Sequence, residues 1–149
     1  GYCLVASAVR DGTRLMSVVM GTDSIAAREK ASSELLNYGF RFFETRKILS
    51  AGAALQQVKI WKGDAEQVPV GVANDVFMTY PRGEKESLQA QLLLSSPIEA
   101  PVRAGQQLGT VVISLKGEKQ KSVPLISLAE VNEGSFFSRM SDALMLWFE

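Results

Sequence analysis

Few side chains in this sequence have the chemistry that catalysis or metal binding requires. There is no histidine, and Cys3 is the single cysteine among the 149 residues. A zinc site with the usual ligands and a Ser-His-Asp triad therefore cannot be assembled from this chain. Cys3 lies in an apolar run typical of a strand, which favours a buried structural thiol over a reactive one. We expect no metal and no cofactor.

Charge and composition exclude further classes of function. Sixteen basic residues balance 16 acidic ones, so no overall field attracts nucleic acid, and we expect no nucleic-acid partner. The apolar content of 46% is that of a globular protein. No apolar run approaches the roughly 20 residues that a membrane-spanning helix needs.

The N-terminal residues are typical of a β-hairpin followed by one helix. Asp11-Gly12 separates apolar runs at 1–9 and 14–20, and glycine tolerates the positive φ of tight hairpin turns. Both runs are continuously apolar in part, which predicts strands covered on both faces. The predicted helix is the only element available to pack on the hairpin. One face of the hairpin is therefore expected to lack a packing partner. The helix is predicted from a cap at Thr22, Asp23 or Ser24, a stripe of Ala27, Ala31, Leu35 and Tyr38, and an end at Gly39.

Residues 45–131 change character, because short apolar runs alternate with Gly, Pro, Asn and Asp. Six or more short strands at this spacing predict a compact antiparallel sandwich or barrel. The segment Lys116-Gly117-Glu118-Lys119 predicts a hairpin turn between the last strands. Pro69 and Pro124 lack the N–H that a strand donates, so we expect them at edges, strand starts or bulges.

Residues 135–149 are predicted to form an amphipathic helix. Its length of about 22 Å is too short to span a bilayer. Two interpretations stay open, a helix packed on its own domain and a helix lying in a membrane surface. The residues expected to contact the membrane in the second case are Phe136, Phe137, Met140, Leu144, Trp147 and Phe148.

At this point the sequence resembles a known family. The resemblance is to the D-alanyl-D-alanine carboxypeptidases, the low-molecular-mass penicillin-binding proteins of the type five and six group. It covers essentially the whole chain. It rests on the strings Gly1-Tyr2-Cys3-Leu4-Val5-Ala6-Ser7-Ala8, Arg14-Leu15-Met16-Ser17-Val18-Val19-Met20-Gly21, Leu35-Leu36-Asn37-Tyr38-Gly39-Phe40-Arg41-Phe42-Phe43-Glu44-Thr45, Pro81-Arg82-Gly83, Ala100-Pro101-Val102 and Glu133-Gly134-Ser135-Phe136-Phe137.

The resemblance implies an α+β fragment in three parts. Residues 1–44 would be a hairpin and helix from the end of a serine transpeptidase-like catalytic domain. Residues 45–131 would form a small all-β sandwich domain, and residues 132–149 an amphipathic membrane-anchor helix. Residue 1 is Gly rather than Met, so we expect the larger part of the protein to precede it.

The resemblance also implies which chemistry this chain lacks. The family uses S-x-x-K, S-x-N and K-T-G motifs, and none of them occurs here. We therefore expect no catalytic residue in this chain and no activity from it alone. By position, Arg28 is similar to a family arginine that binds the terminal carboxylate of the D-Ala-D-Ala stem peptide, a role for which a guanidinium is well suited.

Two functions remain. The first is the C-terminal part of a carboxypeptidase that trims peptidoglycan stem peptides, located in the periplasm and attached to the outer face of the bacterial inner membrane. The second is a non-catalytic β-sandwich pedestal or partner-binding module with a membrane-associating tail. The terminal segment departs from the family by carrying only Arg139 as a basic residue, which weakens attraction to anionic lipid.

Overall fold

The computed structural model describes residues 1–134 of the chain. This part is mostly β-sheet, with a single α-helix. Its elements in chain order are β1 (Tyr2–Arg10), β2 (Thr13–Thr22), α1 (Ile25–Phe42), β3 (Phe43–Leu49), β4 (Gln56–Lys59), β5 (Gln67–Gly71), β6 (Val76–Pro81), a short 3-10 turn (Lys85–Ser87), β7 (Leu88–Leu94), β8 (Gln107–Leu115) and β9 (Glu118–Ser127).

Two compact units make up the chain. The first combines Gly1–Arg46 with Phe77–Glu86, and the second combines Lys47–Val76 with the described residues that follow Glu86. Strands β3 and β6 pair with each other in a two-stranded sheet. The domain boundaries after residues 44 and 131 stay predictions.

The predicted N-terminal hairpin is confirmed. β1 and β2 pair antiparallel, and the turn between them is Asp11-Gly12, with φ of 50° and 77°. Glycine adopts such positive φ values at no steric cost, which is why this dipeptide closes the hairpin.

Helix α1 begins where the sequence indicates but ends later. Ser24 is the N-cap, and its side chain accepts a hydrogen bond from the Ala27 N–H at 3.1 Å. The predicted end at Gly39 was wrong, since the helix continues to Phe42. Gly39 has a different use: a Cβ built on it would lie 2.5 Å from Leu15 Cδ1. Glycine there allows the helix to approach β2 closely.

The helix face that packs on the hairpin also differs from the prediction. Leu35 and Tyr38 of the predicted stripe are exposed, while Ser32 and Phe40 are buried. Ser32 Oγ shares a hydrogen bond of 2.5 Å with Ser17 Oγ of β2. Ala27 and Ala31 of the predicted stripe are half-buried, so the prediction is only partly wrong. Hydroxyl groups that hydrogen-bond each other can be buried, and apolar periodicity does not mark such a residue.

The opposite face of the hairpin is exposed, as the sequence predicts. Its side chains alternate with those that face α1. The prediction of a buried thiol was wrong, because Cys3 lies on this exposed face. The large apolar side chains exposed here are Val5, Val9, Met16, Val18 and Met20.

The second unit is built on a five-stranded antiparallel sheet with the order β4-β5-β9-β8-β7. The predicted hairpin between β8 and β9 is confirmed, and its turn residues Lys116 and Gly117 have φ of 52° and 82°. The core of this unit consists mainly of aliphatic side chains that alternate along the strands with exposed ones, and it includes Trp61. Its fully buried members include Val68, Val70, Val102, Val111, Ile113 and Leu125.

Pro69 does not occupy the predicted kind of position. It lies in the middle of β5, which is an interior strand between β4 and β9. The reason is that β9 pairs with β5 only through Val70 and Gly71. Pro69 lies at the end of that short ladder, where its carbonyl accepts a hydrogen bond from Leu128 N at 2.9 Å. Pro124 of β9 lies opposite Thr110 of β8. The ladder from β5 reaches only Ile126 and Ser127, so Pro124 has a strand on one side only, which agrees with the edge position that the sequence predicts.

Candidate substrate-contact site at the start of the helix

Arg28 lies in the first turns of α1, as the sequence indicates. The turn is fixed by Ser24, whose carbonyl accepts the Arg28 N–H at 3.2 Å. The same region is tied to the end of the hairpin where β1 begins and β2 ends. There the Thr22 hydroxyl lies 3.1 Å from Tyr2 O and 3.2 Å from Ser24 O, within donating distance of both carbonyls.

The Arg28 guanidinium is held at this end of the hairpin. Nη1 donates to Cys3 O at 2.9 Å, and Cζ lies 5.9 Å from the centre of the Tyr2 ring. Nε is buried and has no hydrogen-bond partner among residues 1–134. Because Nε is enclosed, a carboxylate can approach this guanidinium only at its Nη atoms. That geometry suits an anion arriving from outside the hairpin end.

A second polar cluster, which sequence reasoning missed, lies in the same unit around Glu44. Its carboxylate Oε2 lies 3.1 Å from Arg46 Nε and 3.7 Å from Arg82 Nη1. Arg82 also donates from Nη2 to Phe40 O at 3.2 Å, and its backbone N–H donates to Phe42 O at 2.8 Å. Arg82 thus satisfies carbonyls at the end of α1, where a cation is also favoured by the helix dipole.

Tyr80 is the buried member of this second cluster. Its side chain is only 1% exposed, and its enclosed hydroxyl lies near the carboxylate of Glu44. Burial, reinforced by the negative charge of Glu44, raises the pKa of Tyr80 above its usual value. The phenol therefore stays neutral and is not a base at physiological pH.

A shallow cleft of about 280 Å³ adjoins this cluster. Acidic and basic side chains both line it, so their charges largely cancel and no single ligand charge is selected. We interpret the cluster as a support for the helix end. In the sequence, the only sign of this cluster is the string Pro81-Arg82-Gly83. The string has no apolar periodicity, so it does not indicate that Arg82 contacts Glu44. The lining residues are Asp11, Thr13, Glu44, Thr45, Arg46 and Arg82.

The second unit has a polar cluster of its own around Asp75. Oδ1 accepts the Ala51 N–H at 2.8 Å, and Oδ2 accepts from Lys47 Nζ at 3.2 Å. The hydrogen bond from the Ala51 N–H, followed by the one from Lys47, lowers the pKa of this carboxyl below its usual value. An open cleft of about 240 Å³ lies beside Asp75 and is also lined by Asn74, Lys121 and Pro124.

Other predicted features fall outside what the structure describes. The proposed membrane-contact residues Phe136, Phe137, Met140, Leu144, Trp147 and Phe148 all follow residue 134. Within residues 1–134, no cluster of His, Cys, Asp and Glu has the makings of a metal site. The helix in this range is not long and apolar enough to cross a membrane.

Comparison with known proteins gives a consistent result. The chain is 41% identical to the D-alanyl-D-alanine carboxypeptidase DacA of Escherichia coli K12, over 99% of the chain and 37% of that relative. It is 39% identical to DacC of the same strain, again over 37% of the relative's length. The chain thus spans less than two-fifths of the curated relatives that it matches.

Solved structures and a family profile agree with these relatives. A crystal structure of penicillin-binding protein 5 from Haemophilus influenzae has a TM-score of 0.81 and 38% identity, over 89% of this chain and 39% of that one. DacD from Francisella tularensis has a TM-score of 0.64 and 30% identity, over 90% of this chain and 34% of that one. The profile described as penicillin-binding protein 5, C-terminal domain, matches residues 43–133. Because that profile spans more than half of the residues, the chain belongs to the penicillin-binding protein 5 C-terminal domain family.

Proposed function

We propose that this chain is the C-terminal part of a serine-type D-Ala-D-Ala carboxypeptidase, which removes the terminal D-Ala from peptidoglycan stem peptides through an acyl-enzyme. The observation that carries the proposal is the continuous match to DacA, at 41% identity over 99% of the chain. The catalytic motifs S-x-x-K, S-x-N and K-T-G do not occur in this sequence, so the chemistry belongs to residues of the longer protein.

The test is release of D-alanine from a peptide ending in D-Ala-D-Ala. The longer protein that contains this chain should release D-alanine, and the 149-residue chain alone should release none. A longer protein with the three motifs in its sequence and no release would contradict the proposal.

The hairpin and α1 are proposed to complete the catalytic domain, with residues 1–44 as its last part. The exposed apolar face of the hairpin supports this assignment. Val5 is 64% exposed and Met20 is 75% exposed, and leaving such side chains in water forgoes about 1.5 to 3 kcal/mol each. In the longer protein this face would be covered by the rest of the catalytic domain, whose sheet the hairpin would extend.

Arg28 is proposed to bind the terminal carboxylate of the stem peptide. A carboxypeptidase has to distinguish a free chain end from an internal residue, and a guanidinium holds a carboxylate with paired hydrogen bonds. The contact between Nη1 and Cys3 O supports the proposal, because it fixes the guanidinium before substrate arrives.

The remaining residues are proposed to act as pedestal and anchor. Residues 45–131 would form the β-sandwich pedestal, and residues 132–149 would lie in the outer face of the inner membrane and keep the enzyme in the periplasm. The absence of catalytic motifs favours the non-catalytic function for this chain by itself, namely a support or partner-binding module. The two functions are compatible if the module belongs to the longer enzyme.

Membrane attachment can be measured directly. A chain ending at Glu133 should lose co-sedimentation with phospholipid vesicles, because it lacks the aromatic side chains that would enter the interface. Added salt should change binding of the complete chain little, since Arg139 is the only basic residue of that segment. Equal sedimentation with and without residues 134–149 would contradict the anchor.

A further inference from the structure

The two edges of the five-stranded sheet are built differently. β4 forms one edge, has four residues and ends at Lys59, and short charged edges resist pairing with other chains. β7 forms the other edge, has seven residues and contains neither a charge nor a proline. By the same criterion, β7 is an unprotected edge.

The hydrogen bonds to β8 show which groups of β7 face outward. Ser87 O accepts from Lys116 N at 3.1 Å, and Ser95 N donates to Leu108 O at 2.9 Å. The register between these bonds has no shift. In an antiparallel pair every second residue bonds to the partner strand, so Gln89, Gln91 and Leu93 bond to β8. The N–H and C=O groups that point to the open edge are those of Leu88, Ala90, Leu92 and Leu94.

The same residues direct their side chains to the core face of the sheet. Ala90 lies opposite Ile113 and Leu92 opposite Val111, and both partners in β8 are 0% exposed. Leu94 continues the row and is 37% exposed. The core face of the sheet therefore ends at β7 in a row of aliphatic side chains, of which Leu88 and Leu92 are half-buried and Ala90 and Leu94 are exposed. No strand within residues 1–134 pairs with this edge.

We propose that β7 pairs antiparallel with β7 of a second copy of this chain, which joins two five-stranded sheets across a two-fold axis. In the register that places the outward N–H and C=O groups of the two strands opposite each other, the two-fold axis lies at Gln91. Leu88 then faces Leu94 of the other copy, and Ala90 faces Leu92. Every outward N–H and C=O of the strand gains a partner.

A second copy fits this edge better than an unrelated strand does. Antiparallel pairing about a two-fold axis places the aliphatic row against itself, so apolar side chains meet only apolar ones on the core face. On the outer face, Gln89 meets Leu93 and Gln91 meets its own counterpart, and no like charges oppose each other. The β7 strand of a second copy has this pattern of apolar and uncharged side chains, and it has the same length.

Charge substitution at the axis tests the proposal. The 149-residue chain should sediment as a dimer at high concentration. Gln91→Lys and Gln91→Glu should each weaken the dimer about tenfold or more, because like charges then oppose each other at the axis. An equal mixture of the two variants should restore dimers, because the ammonium of one variant would then meet the carboxylate of the other. Gln57→Lys, at the other edge of the sheet, is the matched control and should leave the dimer unchanged.

Amide hydrogen exchange gives an independent measurement on the same chain. With rising concentration, the amides of Leu88, Ala90, Leu92 and Leu94 should become protected, while those of Gln89, Gln91 and Leu93 are already protected in the monomer. A monomer at every concentration would overturn the proposal. An oligomer that neither charged variant weakens, or protection without this alternation, would also overturn it.

Discussion

At the scale of the residue, the account depends most on Arg28. One Nη atom donates a hydrogen bond to a backbone carbonyl and Nε is enclosed, so the half-buried side chain is held at the end of the hairpin. Such an arginine has two different uses, to hold the hairpin end together or to bind an anion. Kinetics of the longer protein can separate them.

Arg28→Ala in the longer protein should lower kcat/KM for peptides ending in D-Ala-D-Ala by about 10- to 100-fold. This range corresponds to the roughly 1.5–3 kcal/mol of a hydrogen bond to a charged group. The loss should be much smaller for a substrate whose terminal carboxylate is amidated. Arg41→Ala is the control, because Arg41 lies at the other end of the same helix, over the Phe42 ring.

Two results would remove Arg28 from the substrate site. One is an unchanged kcat/KM, and the other is an equal loss for the free and the amidated peptide, since a purely structural role affects both alike. Circular dichroism of the variant separates these results from a failure to fold.

Single residues also show where the sequence was informative. Asp11-Gly12 and Lys116-Gly117 predicted their hairpins because the positive φ of these turns restricts which residues can occupy them. The buried side of α1 was predicted only in part, because it contains Ser32, whose hydroxyl hydrogen-bonds that of Ser17 in another element. A partner that is distant in sequence leaves no periodic signal.

At the scale of the element, close approach of strands decides stability. Gly109 in β8 lies beside β7, and a Cβ built on it would collide with Leu93 O and lie 3.0 Å from Leu94 Cα. These are backbone atoms, which cannot rotate away as a side chain can. Glycine at this position is therefore required by the approach of β7.

Gly109→Ala should lower the free energy of unfolding of the second unit by about 1–3 kcal/mol, the usual cost of forcing an added methyl group into a packed site. Urea unfolding, followed by tryptophan fluorescence, to which the buried Trp61 contributes, measures this change in the 149-residue chain. Ser114→Ala in the same strand is the control and should change the free energy of unfolding by less. Equal stability of Gly109→Ala and the unsubstituted chain would show that β7 lies further from β8 than described.

The order of the strands was beyond sequence reasoning. Short alternating runs predicted several antiparallel strands, and these are present. The pairing of β5 with β9 and of β3 with β6 joins segments far apart in the chain, and their side-chain patterns do not specify a neighbour. The interior place of Pro69 follows from the short β5–β9 ladder, which only the structure shows.

At the scale of the whole molecule, the chain belongs to a family of C-terminal domains and spans 37% of the length of DacA. The exposed face of the hairpin and the missing catalytic motifs both favour the proposal that the catalytic residues belong to a longer protein. The resemblance in the sequence supplied the family. The comparisons bear it out, whereas the roles of Arg28 and of residues 135–149 stay predictions.

Labelling with a fluorescent penicillin tests this account most directly, because the acylated serine of the proposed mechanism would retain the label. The longer protein should be labelled at one serine within S-x-x-K, and the folded 149-residue chain should remain unlabelled under the same conditions. Label on the 149-residue chain itself, or none on the longer protein, would contradict the division between a catalytic part and the support described here.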